Sequence, residues 1–454
     1  SLAIREAQLG PEHPDVANSL NNLAALYRDQ GRYTEAEPLF QRSLAIWEAQ
    51  LGPEHPNVAT SLNNLAALYQ TQGQYDKAVL GFQQAARVEE FNLARILTVG
   101  AEAQKQAYLS TLTTTSVYHA VAIESSLPEA IALGLTTLLQ RKGRVLDAVS
   151  DIYQILRQQL ASDPQAQEQL TQLINVRTQL SALTVRGQAD LSPDAYQTEY
   201  NRLLQAEKQL ETELSSRSAT FQVIDAPVSL EQVQAQIPPD AVLIEFVQYR
   251  PVDWQAPFNQ QQGEPHYAAY VLPPSGAPIV VGLGPVSDID PVLNQFRTEL
   301  QDANQAKLGQ TDTVNQTGQT LYDLLFAPLK AAIGEADHLL LAPDGPLNLI
   351  PFEALVDRQG RYLIERYATS YLTSGRDLRR QQEDSASQQP PWLVADPAYA
   401  SAIASAPAAE FQQVAIANQP KTNNQRSSDL SLLSFSDLEG TQEEANDILP
   451  LLQR

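Results

Sequence analysis

Two histidines have the residue type and the spacing that could build a metal site or supply a general base. His13 and His55 lie 42 residues apart, each in a copy of the motif Gly-Pro-Glu-His-Pro. A neutral imidazole binds transition metals well and takes up a proton near neutral pH. Equivalent turns of stacked repeats, however, lie one repeat apart and not side by side. We therefore expect a capping or turn role for both histidines, and no metal site.

Cysteine chemistry is excluded within these residues, because the 454-residue chain contains no Cys. The chain therefore has no disulfide, no thiolate metal ligand and no cysteine nucleophile. The G-x-S-x-G motif of serine hydrolases is also absent, and no His has a convincing local context for such a site. We expect no catalytic residue, no cofactor and no bound metal in this chain.

The charge and hydropathy of the chain restrict its partners. A formal net charge of −23 argues against direct nucleic-acid binding, because phosphate contacts need clustered Lys and Arg. No segment reaches the roughly 20 apolar residues that a membrane helix needs, so we expect no membrane partner. We expect a cytoplasmic protein with two or three domains.

The strongest pattern is a 42-residue unit that occurs twice within the first 85 residues. In the second copy, apolar residues at steps of three and four predict one helix over 58–69 and another over 75–85. Gly73 separates these helices, Gly52 ends the one before, and Pro56 suits a first helical position. A unit of this kind buries its apolar face only by stacking on its neighbours, which predicts an α-solenoid.

This unit resembles the tetratricopeptide repeat, in the long form also found in kinesin light chains. The matching residues are Leu62, Leu65, Ala66, Tyr69, Gly73, Tyr75, Ala78, Phe82 and Ala85. The resemblance implies that a protein or peptide binds in a groove lined by the first helix of each unit. The residues that it places in or near that groove are Asn21, Asn22, Arg28, Asn63, Asn64 and Gln70.

Paired Asn residues stand in mid-helix in both copies, although Asn is a poor helix-interior residue. One interpretation is that their amides bind a peptide backbone, and the other is that they bond the adjacent helix or water. Residues 1–10 match 43–52, the second half of a unit. We therefore expect the chain to be part of a longer repeat array.

Helical patterns continue after the two repeats. Apolar stripes that predict helices lie at 145–160, 170–183 and 196–214. Gly187 ends the second stripe, and Ser192 and Pro193 supply the cap and first turn of the third. The last two helices are expected to form an antiparallel hairpin, with a coiled coil as one option. Glu207 lies in its seam, either as a register device or at its edge.

Near Pro227 the periodicity becomes that of strands alternating with helices. Predicted strands lie at 241–249, 267–272, 279–283, 338–341, 367–372 and 392–395. Helices are predicted over 288–301 and 317–333, and Pro328 should kink or restart the second. Residues 342–345 (Ala-Pro-Asp-Gly) predict a type I turn. The alternation predicts an α/β domain with a largely parallel sheet.

Four motifs in this half resemble the front part of a CHAT domain, a caspase-like domain found next to tetratricopeptide repeats. They begin at residues 338 (HLLLAPDGPLNLIPFEAL), 362 (YLIERYATSYLTS), 392 (WLVADPAY) and 438 (LEGTQEEANDILPLL). The resemblance implies a fold related to caspases and separases, with a His base and a Cys nucleophile. In the family both residues follow the segment matched by 438–452. No residue of this chain is therefore assigned to the dyad.

The CHAT resemblance also implies a structural role for its motif residues, which shape a turn and hairpin beside the sheet. These residues are Asp344, Gly345, Pro346, Pro351 and Glu353.

The expected fold class is an α-solenoid of tetratricopeptide helix pairs with a helical hairpin, followed by an incomplete α/β caspase-like domain. The expected domains are repeats at 1–86, divergent helical repeats and hairpin at 87–220, and the front of a CHAT domain at 221–454. One functional hypothesis is a parent protein that is a repeat-regulated cysteine peptidase, with this chain itself inactive. The other is a non-catalytic interaction scaffold with a degenerate peptidase-like domain.

Overall fold

The helices of the repeats begin at or close to the predicted residues, but the one predicted over 75–85 extends to Val99. The computed structural model describes residues 2–99, 114–143, 160, 163–186, 191–217, 221, 228–257, 260–305 and 311–382. The repeat helices are α1 (Leu2–Leu9), α2 (Pro14–Asp29), α3 (Tyr33–Leu51), α4 (Pro56–Thr71) and α5 (Tyr75–Val99). The predicted strand at 392–395, the motif at 438–452 and nearly all of the stripe at 145–160 lie outside the described residues.

Proline and histidine start the first helix of each unit. Pro14 and Pro56 occupy first-turn positions, where a missing N–H costs no helical hydrogen bond. His13 and His55 are the caps, and each Nδ1 accepts a hydrogen bond of 3.1 Å from the backbone N–H two residues later. The predicted capping role of both histidines is confirmed.

Glycine ends the helices in both copies. Gly31 and Gly73 each have φ of 73°, and Gly10 and Gly52 each have φ of 90°. This left-handed region is open to glycine without steric strain. The two units therefore share their backbone turns as well as their sequence.

The helix pairs stack through small residues and continue beyond the two clear repeats. Gly81 of α5 lies so close to α4 that a Cβ at this position would come within 2.9 Å of the Ala66 Cβ. A third pair, α6 (Thr114–Ser125) and α7 (Pro128–Arg141), packs against α5. Phe82 of α5 and Tyr118 of α6 share one buried cluster. The predicted solenoid of helix pairs is confirmed.

A helical hairpin of α8 (Pro164–Arg186) and α9 (Pro193–Arg217) lies against α3 and α5. Its helices are antiparallel, since Arg217 near the end of α9 pairs with Asp163 just before α8. Tyr196 and Tyr200 of α9 enter the same buried cluster as Trp47 of α3. The predicted hairpin is confirmed.

Within the described residues, the sheet has five strands in the order β3-β2-β1-β4-β5. Their bounds are β1 (Ala241–Tyr249), β2 (His266–Leu272), β3 (Ile279–Pro285), β4 (His338–Ala342) and β5 (Ala368–Tyr371). β1 pairs in parallel with β4, and β4 with β5, whereas β2 is antiparallel to both β1 and β3. The prediction of a largely parallel sheet is therefore wrong. The short connection over residues 273–278 links β2 to β3 and favours their antiparallel pairing.

Strand β1 is buried on both faces because helices cover both sides of the sheet. Val242, Ile244 and Phe246 face a core built with the helices that follow β3. The alternate residues Leu243 and Val247 face α7 of the third helix pair. The helical region thus packs directly on one face of the sheet.

The helices after β3 are interrupted at Pro328. They are α11 (Val286–Gln305), α12 (Thr311–Leu321) and α13 (Lys330–Ile333), and the short α10 (Leu230–Gln234) precedes β1. Between α12 and α13 the chain forms a π turn at Tyr322–Phe326 and a 3-10 turn at Ala327–Leu329. Pro328 has no N–H to donate, so the regular helix stops and restarts as predicted.

The predicted type I turn at 342–345 is wrong. Asp344 has φ of −131° and ψ of 144°, which is extended backbone. Its carboxylate reaches β1, where Oδ2 accepts a hydrogen bond of 3.0 Å from the Gln248 N–H. This tertiary bond overrides the local turn preference. The 3-10 segments that follow are Gly345–Leu349, Phe352–Ala354, Leu363–Glu365 and Gly375–Gln382.

Gly134 permits the close approach of α7 to the sheet, and its substitution tests that contact. A Cβ at this position would overlap the Tyr270 hydroxyl of β2, which is fully buried. We predict that Gly134→Ala lowers the free energy of unfolding by about 1–3 kcal/mol, although Ala is the better helix former. Urea denaturation measures this loss. The same change in a Tyr270→Phe background should cost less, and an equal loss in both backgrounds would contradict the contact.

Candidate functional site

The six residues assigned to the groove fall into two groups. Asn22 is exposed, and Asn21 and Asn64 are half-buried. Asn64 Nδ2 donates to Asn21 Oδ1 at 3.1 Å, so these amides join α2 to α4. One of the two interpretations of the Asn pairs is a hydrogen bond to the adjacent helix, and the Asn64–Asn21 bond is of that kind. Asn22 keeps its side chain toward solvent.

The other three residues do not lie open for a ligand. Asn63 donates to Glu89 Oε1 at 2.9 Å and accepts from the Tyr118 hydroxyl at 3.1 Å, within a buried cluster. The Arg28 side chain is 4% exposed and pairs with Asp29. Gln70 is 5% exposed. All three side chains are buried in the described structure, and their assignment to the groove or its rim stays a prediction.

Asn63 belongs to a buried polar network that joins the second repeat to the third helix pair. The Glu89 carboxylate of α5 accepts from Asn63, from the Tyr118 hydroxyl at 3.1 Å and from Arg141 Nη2 at 2.6 Å. Both side chains of the Arg141–Glu89 ion pair are less than a tenth exposed. Buried charges of this kind are stable only while they stay paired.

A second buried charge pair lies where the third helix pair meets the sheet. Glu245 of β1 is 0% exposed, and its Oε2 lies 2.9 Å from Lys142 Nζ. Lys142 also donates to the carbonyl oxygens of Phe246 at 3.1 Å and Ala342 at 2.6 Å. Ala342 is the last residue of β4. The ammonium group thus bridges two parallel strands at the carboxyl end of β4.

The segment after β5 is fixed to the same carboxylate. Glu245 Oε1 accepts from the Ser374 hydroxyl at 2.8 Å and from the Gly375 N–H at 2.5 Å. A Cβ on Gly375 would overlap Leu243, so this backbone passes directly over the sheet. Each oxygen of Glu245 therefore holds a different element, one the end of α7 and the other the chain after β5.

A buried His–Tyr contact joins α6 to the sheet. His119 Nδ1 and the Tyr270 hydroxyl of β2 share a hydrogen bond of 2.8 Å, and both residues are buried. Burial, together with the nearby charges of Arg141 and Lys142, lowers the pKa of His119 from its ordinary 6.5 to about 3. His119 is therefore neutral at physiological pH. Burial likewise lowers the pKa of the capping His55 to about 4.

The residues of the predicted structural motif contact β1 and β5, the strands on either side of β4. Asp344 holds β1 through Gln248, and a Cβ on Gly345, which has φ of 52°, would meet the Gln248 side chain at 3.0 Å. Glu353 accepts from the Thr369 hydroxyl at 2.5 Å and from the Tyr371 hydroxyl at 2.7 Å, both on β5.

Burial opposes the ionisation of Glu353, but the hydrogen bonds from β5 outweigh it and leave the pKa lowered. Pro346 and Pro351 begin or precede the two 3-10 turns between these contacts. The contacts are consistent with a structural role for the motif, which stays a prediction.

The histidines of the described chain make contacts with the backbone or with neighbouring side chains. His13 and His55 cap helices, and His119 is buried against Tyr270. His266 Nδ1 contacts a backbone carbonyl. His338 Nε2 lies 2.9 Å from the Ser370 hydroxyl, which has the spacing of a base and its nucleophile. This pair, however, includes the first residue of β4. Open α/β sheets place their sites at the opposite, carboxyl ends of the strands.

Within the described residues, no group of three or more His, Asp or Glu is arranged to hold a metal ion. Among the helices described here, none is both long enough and apolar enough to cross a membrane.

Comparison with protein families gives one match near each end of the chain. The tetratricopeptide repeat model matches residues 1–37 and 15–88, and the CHAT domain model matches residues 315–454. The chain is a tetratricopeptide-repeat protein with a CHAT domain. No curated protein matches it.

The CHAT match begins downstream of β3, yet the sheet of this TPR–CHAT protein crosses that boundary. Strands β4 and β5 lie inside the match, and β4 pairs with β1, which lies before it. The upstream hairpin of β1 and β2 therefore completes one sheet with the matched strands.

Sequence reasoning missed the buried network, and one signal could have found part of it. Glu245 is the charged residue of the mainly apolar strand β1, and a buried carboxylate needs a cationic partner. Its partner Lys142 lies about a hundred residues away, and no local pattern marks it. No local pattern marks Tyr118 or Arg141 either, because their hydrogen-bond partners lie in another helix pair.

The buried His119 should make stability depend on pH. Once the chain unfolds, His119 regains its ordinary pKa and binds a proton that the folded state excludes until about pH 3. Stability is thus fully present above about pH 6.5 and falls as the pH drops, by up to about 1.4 kcal/mol per pH unit for this histidine. His119→Asn places a side-chain amide, which does not titrate, near the position of Nδ1. We predict that this change reduces the slope by that amount between pH 6 and pH 4.5.

Urea denaturation at several pH values measures the two slopes. Equal slopes for the wild type and the His119→Asn variant would show that His119 is already protonated, or accessible, in the folded chain.

Proposed function

We propose that this TPR–CHAT chain binds a protein or peptide segment on the exposed side of α2 and α4. The observation that carries this proposal is the row of amides formed by Asn21, Asn22 and Asn64, which stays accessible on helices that the family uses for protein binding. An amide donates and accepts at once, so it suits the backbone of an extended peptide. Asn64 can exchange its bond to Asn21 for a bond to a ligand.

Three functional regions follow from this proposal. Residues 1–86 form the binding repeats, residues 87–220 connect them to the sheet, and residues 221–454 form the caspase-like part. The last boundary is supported by the continuous sheet, in which β1 pairs with β4 inside the CHAT match.

The peptidase side of the proposal concerns the parent protein. The CHAT match relates the sheet to caspase-like cysteine peptidases. These 454 residues contain no Cys, so a thiolate nucleophile would have to come from residues beyond them. We therefore propose a repeat-regulated peptidase as the parent, and a chain that does not itself cleave peptides.

A second candidate is a non-catalytic scaffold with a degenerate peptidase-like domain. The observation that favours it is that three of the five histidines, His13, His55 and His119, serve as helix caps or as a buried contact. Both candidates share the binding function and differ only in whether the parent protein cleaves what it binds.

The binding proposal is tested with a peptide selected against the full chain from a random display library. We predict that Asn22→Ala and Asn64→Ala each weaken binding of that peptide by about 1–3 kcal/mol. Each change removes an amide that would hydrogen-bond the peptide, and the peptide group left without a partner in the complex can bond water only when the peptide is free. Isothermal titration calorimetry measures the affinities. The matched control is Asn201→Ala, an exposed Asn on α9, which should bind like the wild type.

Thermal unfolding of each variant shows whether the fold survives. Folded variants that all bind with wild-type affinity would contradict the assignment of this face.

We also predict that the chain does not hydrolyse peptides, because it lacks the thiol that caspase-like chemistry requires. Mass spectrometry of a peptide library incubated with the purified chain tests this. Cleavage activity that follows the protein through successive chromatographic steps would contradict the prediction.

A further inference from the structure

The third helix pair, α6 and α7, contacts the repeats and the sheet through two pairs of consecutive residues. On α6, Tyr118 bonds Asn63 and Glu89 of the second repeat, and the next residue, His119, bonds Tyr270 of the sheet. The same order holds at the end of α7, as the following contacts show.

Arg141, the last residue of α7, pairs with Glu89 of the repeat, and the adjacent Lys142 pairs with Glu245 of β1. The repeat contact and the sheet contact of each helix are thus one residue apart. Because consecutive residues are joined by rigid peptide geometry, neither contact can move far without the other.

We propose that the α6–α7 pair couples the second repeat to the carboxyl end of β4, with Lys142 as the positioning residue at that end. This inference rests on the proposed function, since it describes how the repeats would regulate the caspase-like part.

Lys142 is placed so that it sets the spacing of two strands. Its three acceptors lie on β1 and β4, which are parallel neighbours, and its side chain is 11% exposed. Sites of open α/β sheets are built at carboxyl strand ends. A shift of Lys142 would therefore alter the part of the sheet where a caspase-like site is assembled.

The connection at Lys142 has little slack. The next residue, Gly143, has φ of 73°, and a Cβ there would come within 2.8 Å of Thr373, in the segment that follows β5. This close approach leaves the turn little room to move toward Thr373, and Lys142 follows the last residue of α7 directly. Movement of α7 must reach Lys142 itself.

The buried charges restrict this connection to discrete, fully paired arrangements. Glu89 and Glu245 are each less than a tenth exposed and each holds three or more donors. A partial displacement would leave a buried charge unpaired, which is costly. The paired arrangement is therefore kept until another complete arrangement replaces it, as interfaces that switch between discrete states do.

The network also begins next to the proposed binding face. Asn63 is inside it, and the adjacent Asn64 lies half-buried at the α2–α4 face. A peptide bonded at Asn64 would act one residue away from Glu89's donor.

Hydrogen exchange of the full 454-residue chain, with no added ligand, tests the coupling. The variant is Glu89→Gln, which preserves the side-chain shape and removes the charge at the repeat end. We expect roughly tenfold faster exchange of the backbone amides around Glu245 and at Gly375, beyond the change near α5 itself. Tyr118→Phe, a milder change to the same network, should give a smaller effect in the same place.

The matched control is Glu207→Gln in α9. Glu207 is also a buried carboxylate, held by Arg95 and Arg177, but it joins the hairpin to α5 and has no contact with the sheet among its described bonds. We expect its effect to stay in α5, α8 and α9. Unchanged exchange at the sheet in both network variants, or an equal change in the Glu207→Gln control, would overturn the proposal.

A double-mutant cycle separates coupling from independent structural roles. We expect Glu89→Gln and Lys142→Met to be non-additive, so that the unfolding equilibrium constant of the double variant differs at least about threefold from the product of the single effects. The cycle of Glu207→Gln with Lys142→Met should be additive. Additivity in both cycles would overturn the role of Lys142. Neither experiment uses a peptide or proteolysis, so failure here leaves the proposed binding function standing.

Discussion

The arrangement of this protein depends on one fully buried carboxylate, Glu245 in the central strand of the sheet. Its two oxygens hold Lys142 from the helical region and the backbone of Gly375 after β5. A charge in that position is compatible with folding only when every partner is in place. The sheet therefore cannot adopt this form without the third helix pair, and the helical and β regions act as one structural unit.

The duplicated repeats illustrate how one sequence can serve two purposes. Asn21 and Asn63 occupy the same position in the two units, but only Asn63 is buried with a charged partner. The difference lies in the second helix of each pair. Glu89 of α5 stands at the position that Trp47 occupies in α3. Trp packs against the hairpin and cannot accept a hydrogen bond, so Asn21 is left to bond Asn64 at the exposed face.

Sequence reasoning predicted what local physics controls and missed what long-range contacts control. The caps at His13 and His55 and the restart at Pro328 follow from neighbouring residues, so their positions could be read directly. The strand directions could not, because pairing depends on which connection crosses the sheet. The turn before Asp344 was predicted wrongly, because a bond to a distant strand outweighs a four-residue preference. The polar network was missed for the same reason, since Lys142 finds its acceptors only in the folded chain.

The central claim is that a polypeptide held by the repeats is sensed at the sheet. Hydrogen exchange of the full chain, recorded with and without the display-selected peptide, tests it most directly. The account predicts slower exchange in α4 around Asn64, together with a changed rate at the amides beside Glu245 and at Gly375. Protection confined to the repeats, with the sheet unchanged at saturating peptide, would contradict it.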